Sequence, residues 1–314
     1  MKSNYYLKNF VVFSLLMCCM PVLKGQSTIY IAGDAFVDTL FEASLQEIEW
    51  SQDALKGNLP SSVDNTIYFS GKKYMSPIFD QGQSGSCVQC AEIAYVFTYE
   101  QNRYRNVSAG SCWFNGTETQ MQNLYHPFFT YNFLNSGNGN NGTYYGSGFS
   151  IAAENGCPSL VDYYNPVINP PYNPNYNQLP FRYWMSGVDK YISATENAIS
   201  FTGINTPYKI SWGNTYGSLD NLKRWLFNHN TADSVGGLAI ISVYMAYDTV
   251  TQFVVGNIPE GSIHEGEYML TEWADYGGHA LTLVGYDDSI WVSNNHIQPN
   301  ENTLLANCER GPLK

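Results

Sequence analysis

From Cys87 to about Arg105 the chain carries a run that is apolar on most sides of a helix. Val88, Ala91, Ile93, Ala94, Tyr95, Val96, Phe97 and Tyr99 cover most of its surface, and Gln89, Glu92, Glu100 and Arg103 leave only a narrow polar stripe. A helix of that kind has to be surrounded by the rest of its domain, so it is expected to be the spine of the fold. The preceding residues, Gln81-Gly82-Gln83-Ser84-Gly85-Ser86, suit a tight turn and deliver Cys87 at the first helical position. There the unpaired backbone N–H groups and the helix dipole favour negative charge, which lowers a thiol pKa from about 8.5 towards neutrality. Cys87 is therefore the candidate nucleophile. Gln81 offers a side-chain N–H₂ that can converge with the Cys87 backbone N–H on a developing oxyanion.

The second informative segment lies far downstream, at Gly277-Gly278-His279-Ala280-Leu281-Thr282-Leu283-Val284-Gly285-Tyr286-Asp287-Asp288. It predicts a strand over His279–Tyr286 with His279, Leu281 and Leu283 on one face and Ala280, Thr282 and Val284 on the other. Both faces are largely apolar, so the strand is expected inside a sheet or barrel. An imidazole there, if it meets Cys87, can take the thiol proton and leave an ion-paired thiolate. Between the two segments the sequence predicts a helix near Phe128–Leu134, a flexible loop at Asn135–Asn141, irregular chain at Asn165–Pro180 and a helix at Leu219–Asn228. A β-rich run follows at Gly237–Met245. Helices dominate the first part and strands the second, which implies an α+β protein. Asn65 to Pro77 is expected to be extended.

The two segments, in this order, resemble those of papain-like cysteine peptidases, particularly secreted bacterial members. Gly146-Ser147-Gly148 stands about where that family has a glycine pair beside the cleft, and Asp162-Tyr163-Tyr164 is similar to the tyrosine-rich turn after it. Leu59-Pro60-Ser61-Ser62-Val63-Asp64 resembles the extended start of the mature domain. The resemblance implies two lobes with a cleft between them, a helical lobe over about 80–205 and a β-barrel-like lobe over about 206–314. It implies hydrolysis of protein or peptide substrates by Cys87 and His279 through a thioester, with Gln81 at the oxyanion and no cofactor. A monomer is expected. Three departures stand out. Ser84 occupies the place of a disulfide cysteine, Val88 replaces a tryptophan, and the asparagine segment that orients the histidine is missing. Ser211-Trp212-Gly213-Asn214 is no substitute, since it precedes His279 and lacks the leading asparagine. The chain is accordingly expected to be incomplete at its C-terminus, with the third catalytic residue beyond Lys314.

Composition restricts the partners. The net charge is −12 and charged residues make up only 13% of 314, so a polyanion such as nucleic acid is excluded as partner for want of clustered Lys and Arg. Met1 to about Gly25 has Lys2 and Lys8, then an apolar stretch from Phe10 to Leu23, the layout of a signal peptide. A secreted, extracellular or periplasmic protein with no membrane span after signal removal is expected, with 26–58 as an N-terminal extension or short propeptide containing a helix at Phe36–Trp50. Removing the leader takes Cys18 and Cys19 with it and leaves five cysteines of the seven, an odd number that calls for at least one unbridged thiol. No metal is expected: Zn²⁺ would need a second ligand pair beside Cys87-Val88-Gln89-Cys90, His264-Glu265-Gly266-Glu267 is not HExxH, and Asn294–Glu301 lacks the aspartates of a Ca²⁺ loop. Two other readings compete. One is an inactive papain-like binding module, and the other a thiol oxidoreductase built on the CxxC at Cys87 and Cys90.

Overall fold

Residues 87–105 fold as one continuous helix, as their pattern requires, but not a regular one. The computed structural model describes residues 50–52, 55–82, 84–113, 116–163, 217–230, 235–244, 250–252, 268–270 and 278–288. In it α1 (Cys87–Gln89) runs into a π-helical segment (Cys90–Phe97) and then α2 (Thr98–Arg105). The Thr98 hydroxyl donates to the Ile93 carbonyl at 2.9 Å inside the widened turn. Asn106, left-handed at φ 52°, ends the helix, a conformation asparagine tolerates better than most residues.

Packing surrounds this spine. Cys90 and Ala94 lie with Phe79, Trp113, Leu124 and Tyr131, while Ile93 and Phe97 lie with Tyr125, Phe129 and Phe149. Tyr99 packs with Tyr74, Met75, Leu238 and Val284. The flanking helices are short: α3 (Glu118–Met121), closed by a capping box between Thr117 and Gln120; α4 (Pro127–Leu134), with proline in its first turn; α5 (Ser147–Asn155) and α6 (Leu160–Tyr163). Farther along lies α7 (Gly217–Asn228). Helices α4 and α7 match the predicted segments.

The strands form three antiparallel pairs among the described residues: β1 (Ser62–Asp64) with β6 (Gly285–Asp287), β2 (Ala239–Tyr244) with β5 (Gly278–Leu283), and β3 (Val250–Gln252) with β4 (Tyr268–Leu270). The β2–β5 register sets Val243 opposite His279 and Ala239 opposite Leu283. Alternation gives this pair two jobs. Ala280 packs with Cys87, Val88 and Ala91 of the spine, whereas Leu281 and Leu283 pack with Leu222 and Leu226 of α7.

Two expectations need correction. The single strand predicted over His279–Tyr286 is broken at Val284, whose carbonyl accepts the Asn65 N–H at 2.8 Å, and the chain then changes partner from β2 to β1. Gly285 makes the change possible, because a side chain there would collide with the Val63 carbonyl. Asn65–Pro77 is not uniformly extended: Asn65 to Gly71 turns, with Ser70 and Gly71 at positive φ and a bridge between Phe69 and Lys72. Asn, Ser and Gly are the residues that permit this. The leader, the Phe36–Trp50 helix up to Glu49, Asn165–Pro180, His264–Glu267, Asn294–Glu301 and Cys308 lie outside the described residues. No helix among the described residues is long and apolar enough to cross a membrane.

Candidate active site

The turn before the helix is closed by its own polar groups. Ser84 donates to the Gln81 carbonyl from its N–H (3.2 Å) and its hydroxyl (2.9 Å), and Gln81 Nε2 donates back to the Ser84 carbonyl at 3.0 Å. The Ser84 and Ser86 hydroxyls lie 2.6 Å apart. Outside support comes from Asn135–Asn141. Gly139 accepts the Gly85 N–H at 2.8 Å, and the Tyr131 hydroxyl lies 2.7 Å from the carbonyls of both Gly139 and Asn141. The predicted loop is there, but it is fastened rather than flexible: Asn135 is buried and accepts the Gly137 N–H. Hydroxyls and carbonyls thus hold the turn where Ser84 rules out a bridge.

Cys87 opens the helix against the strand pair. It shares a cluster with Val88, Ala91 and Ala280, bordered by Tyr145 and Ile240, and is only 1% exposed. His279, the neighbour of Ala280 on β5, is half-buried, yet its Nδ1 is sealed from solvent and has no hydrogen-bond partner. Desolvation pushes its pKa down to about 4, so at neutral pH the ring is a free base. Its Nδ1 makes no hydrogen bond to the Cys87 sulfur. Gln81 differs from expectation. One of its two amide hydrogens is committed to the Ser84 carbonyl, which leaves one for any oxyanion.

The polar stripe of the spine proves to be a buried seam. Gln89 is fully buried, its Oε1 accepting from the Thr130 hydroxyl (2.7 Å) and its Nε2 donating to the Thr143 hydroxyl (3.2 Å). Glu92, also buried, accepts the N–H groups of Gly146 and Gly148 at the start of α5. The sequence held a signal for this: a helix apolar on most sides is central, so its few polar residues must be buried too and need partners.

The two cysteines of the CxxC pair pack into different clusters. Cys87 lies with Ala280, whereas Cys90 lies with Phe79 and Trp113 and has its sulfur 3.6 Å from the Ser86 hydroxyl. None of the four described cysteines is in a disulfide, and burial pushes the Cys157 thiol well up, which makes it inert. Among the described residues no three His, Cys, Asp or Glu side chains group so as to hold a metal ion.

No known family profile matches the chain, and no curated protein does. Among solved structures it is similar to xylellain, a cysteine protease from Xylella fastidiosa, with 18% identity, a TM-score of 0.46 and coverage of 82% of this chain and 81% of that one. It is also similar to procathepsin B from Trypanosoma congolense (17% identity, TM-score 0.48, 82% and 72% covered). A third is digestive procathepsin L 3 of the Tenebrio molitor larval midgut (15% identity, TM-score 0.41, 82% and 62% covered).

Proposed function

We propose that this chain is a secreted papain-like cysteine peptidase, with Cys87 as nucleophile, His279 as general base and Gln81 beside the Cys87 N–H as oxyanion donor. The observation that carries the reading is the orphaned Nδ1 of His279, one residue from Ala280 in the Cys87 cluster. Buried polar atoms nearly always have partners, and an exception calls for a functional account. An unpaired ring nitrogen on the neighbour of Ala280, which itself packs with the buried Cys87, fits a proton-transfer role once the ring turns towards the sulfur.

In the proposed reaction the thiol proton passes to that nitrogen as sulfur bonds to a peptide carbonyl carbon, and the C=O electron pair moves onto oxygen. The oxyanion is met by the remaining Gln81 N–H and the Cys87 N–H. Its collapse breaks the C–N bond, the imidazolium gives its proton to the leaving amine, and water hydrolyses the thioester. A neutral imidazole is the form that starts this sequence.

One observation favours a second reading, a papain-like module that binds without cleaving: the Cys87 residue is 1% exposed, so a substrate reaches sulfur only after its surroundings open. Labelling with an epoxysuccinyl peptide and hydrolysis of an unfolded protein substrate separate the two. The native protein is expected to be labelled at Cys87 and to hydrolyse the substrate, and Cys87→Ala to do neither. Hydrolysis that survives in Cys87→Ala overturns the peptidase assignment, and labelling without hydrolysis supports the binding module.

A further inference from the structure

Two buried polar side chains follow Cys87 on the spine, and both reach the same stretch of chain, Thr143–Gly148. Gln89 holds its beginning through the Thr143 hydroxyl at 3.2 Å. Glu92, 1% exposed, holds its end: one carboxylate oxygen accepts the Gly146 N–H and the other the Gly148 N–H at 2.9 Å, and the Phe149 N–H adds a third. Contact is so close that a Cβ on Gly148 would run into both Gln89 and Glu92. Burial pushes the Glu92 carboxyl up to about 8, against the pull of these N–H groups. Three donors at a helix start demand acceptor oxygens, which the Glu92 carboxyl group provides. Glu92 also sits in the π-helical segment, an irregularity that recurs at functional sites.

The stretch so fastened carries Tyr145. Its side chain packs against the cluster of Cys87, Val88, Ala91 and Ala280, and its hydroxyl lies 3.4 Å from the Ile241 carbonyl and 3.5 Å from that of His279. These distances are at the limit of hydrogen bonding. A firmly held backbone therefore presents the Tyr145 ring across the junction of nucleophile helix and histidine strand.

We infer that Glu92 is a positioning residue: by gathering the N–H groups of Gly146 and Gly148 it sets Tyr145 over the Cys87 site, and that ring governs access to the thiol. This rests on Cys87 being the reactive thiol and assigns the residues that control its opening. The experiment is the rate of Cys87 alkylation by iodoacetamide in the full chain, followed by mass spectrometry, with peptide hydrolysis measured separately. Tyr145→Ala is expected to speed alkylation about 10-fold or more, and Tyr145→Phe, which keeps the ring, less than about 2-fold. Glu92→Gln is expected to speed it about 5-fold in the native background and not at all beside Tyr145→Ala, the non-additivity of two residues acting through one contact.

An unchanged rate in Tyr145→Ala overturns the gating role. An equal Glu92→Gln effect in both backgrounds overturns the positioning role, since general loosening of the fold would act in both. If Glu92→Gln does not fold, Thr143→Val, which removes the shorter of the two hydrogen bonds from Gln89 to the same stretch and leaves the one to Ser147 at 3.5 Å, replaces it with an expectation of the same sign. The expected alkylation pattern without hydrolysis supports this inference and removes the peptidase reading. Hydrolysis with alkylation unaltered in Tyr145→Ala does the reverse.

Discussion

The spine helix meets a histidine near each end, and the two are held in opposite ways. Just beyond α7, His229 lies beside the α2 end. Arg103 Nη2 donates to its Nδ1 at 3.0 Å, and its Nε2 donates to Glu100 Oε1, also at 3.0 Å. A guanidinium can only donate, which assigns the tautomer. Arg103 Nε closes the triad on Glu100 Oε2 at 3.2 Å, and Trp225 lies over the ring at 4.2 Å. At the Cys87 end, His279 has a sealed Nδ1 with nothing to bond. Both rings nitrogens of the first are spent on structure, and a nitrogen of the second is kept available. A satisfied buried histidine joins elements, whereas an unsatisfied one is where chemistry is to be sought.

The sharpest way to break this contrast is to remove each ring's function in turn. His279→Ala is expected to slow peptide hydrolysis by about 10²–10⁴, the usual worth of a general base, with little change in the urea midpoint. Glu100→Gln is expected to do the opposite. Burial works to raise the Glu100 pKa, but His229 and Arg103 outweigh it and hold the carboxyl below its ordinary value. Taking out that charge leaves Arg103 without its counter-ion and costs about 3 kcal/mol, the low end for a broken buried pair because Arg103 is partly exposed. Cys87 alkylation should be unaltered. A large loss of stability in His279→Ala with a small one in Glu100→Gln would reverse the assignments of the two ends.

What could be read beforehand, and what could not, follows the range of the interactions. The spine, α4, α7 and the two long strands rest on local periodicity, so their residues announced them. The break at Val284 does not, because it depends on Asn65, more than two hundred residues earlier, capturing one carbonyl. The candidate residues Cys87 and His279 were legible as motifs, and their elements do come together. Tyr145 and His229 carried no motif, since each matters only through partners distant in sequence. The polar stripe gave its four residues but not their destinations: Gln89 and Glu92 hold one stretch of chain, Glu100 and Arg103 hold His229. The apparent freedom of Asn135–Asn141 misled for a related reason, as composition shows what a loop permits and not that Gly85 and Tyr131 will pin it.

A third buried histidine sharpens the contrast through pH. His126 caps α4 by accepting the Phe128 N–H on Nδ1 at 3.0 Å, among the rings of Phe79, Phe128 and Tyr163. Burial pushes its pKa down to about 3, so below the unfolded value of about 6.5 the unfolded chain takes up a proton that the folded one refuses. Stability is complete above that value and is lost as pH falls through the window towards 3, by about 2 kcal/mol between pH 6.5 and 5 for this ring. His279, pushed to about 4, adds loss of the same sign, while Glu92, raised to about 8, works in the opposite direction. Both are present whether or not His126 is replaced, so a comparison of two proteins isolates the one ring. His126→Asn keeps an acceptor at the helix start but leaves space among the aromatic rings, so it should be less stable at pH 7. Its urea midpoint should nevertheless fall less between pH 6.5 and 5 than that of the native protein. Parallel pH curves for the two would mean that His126 takes up its proton in the folded state, and that a satisfied Nδ1 is no guide to which histidine stays neutral.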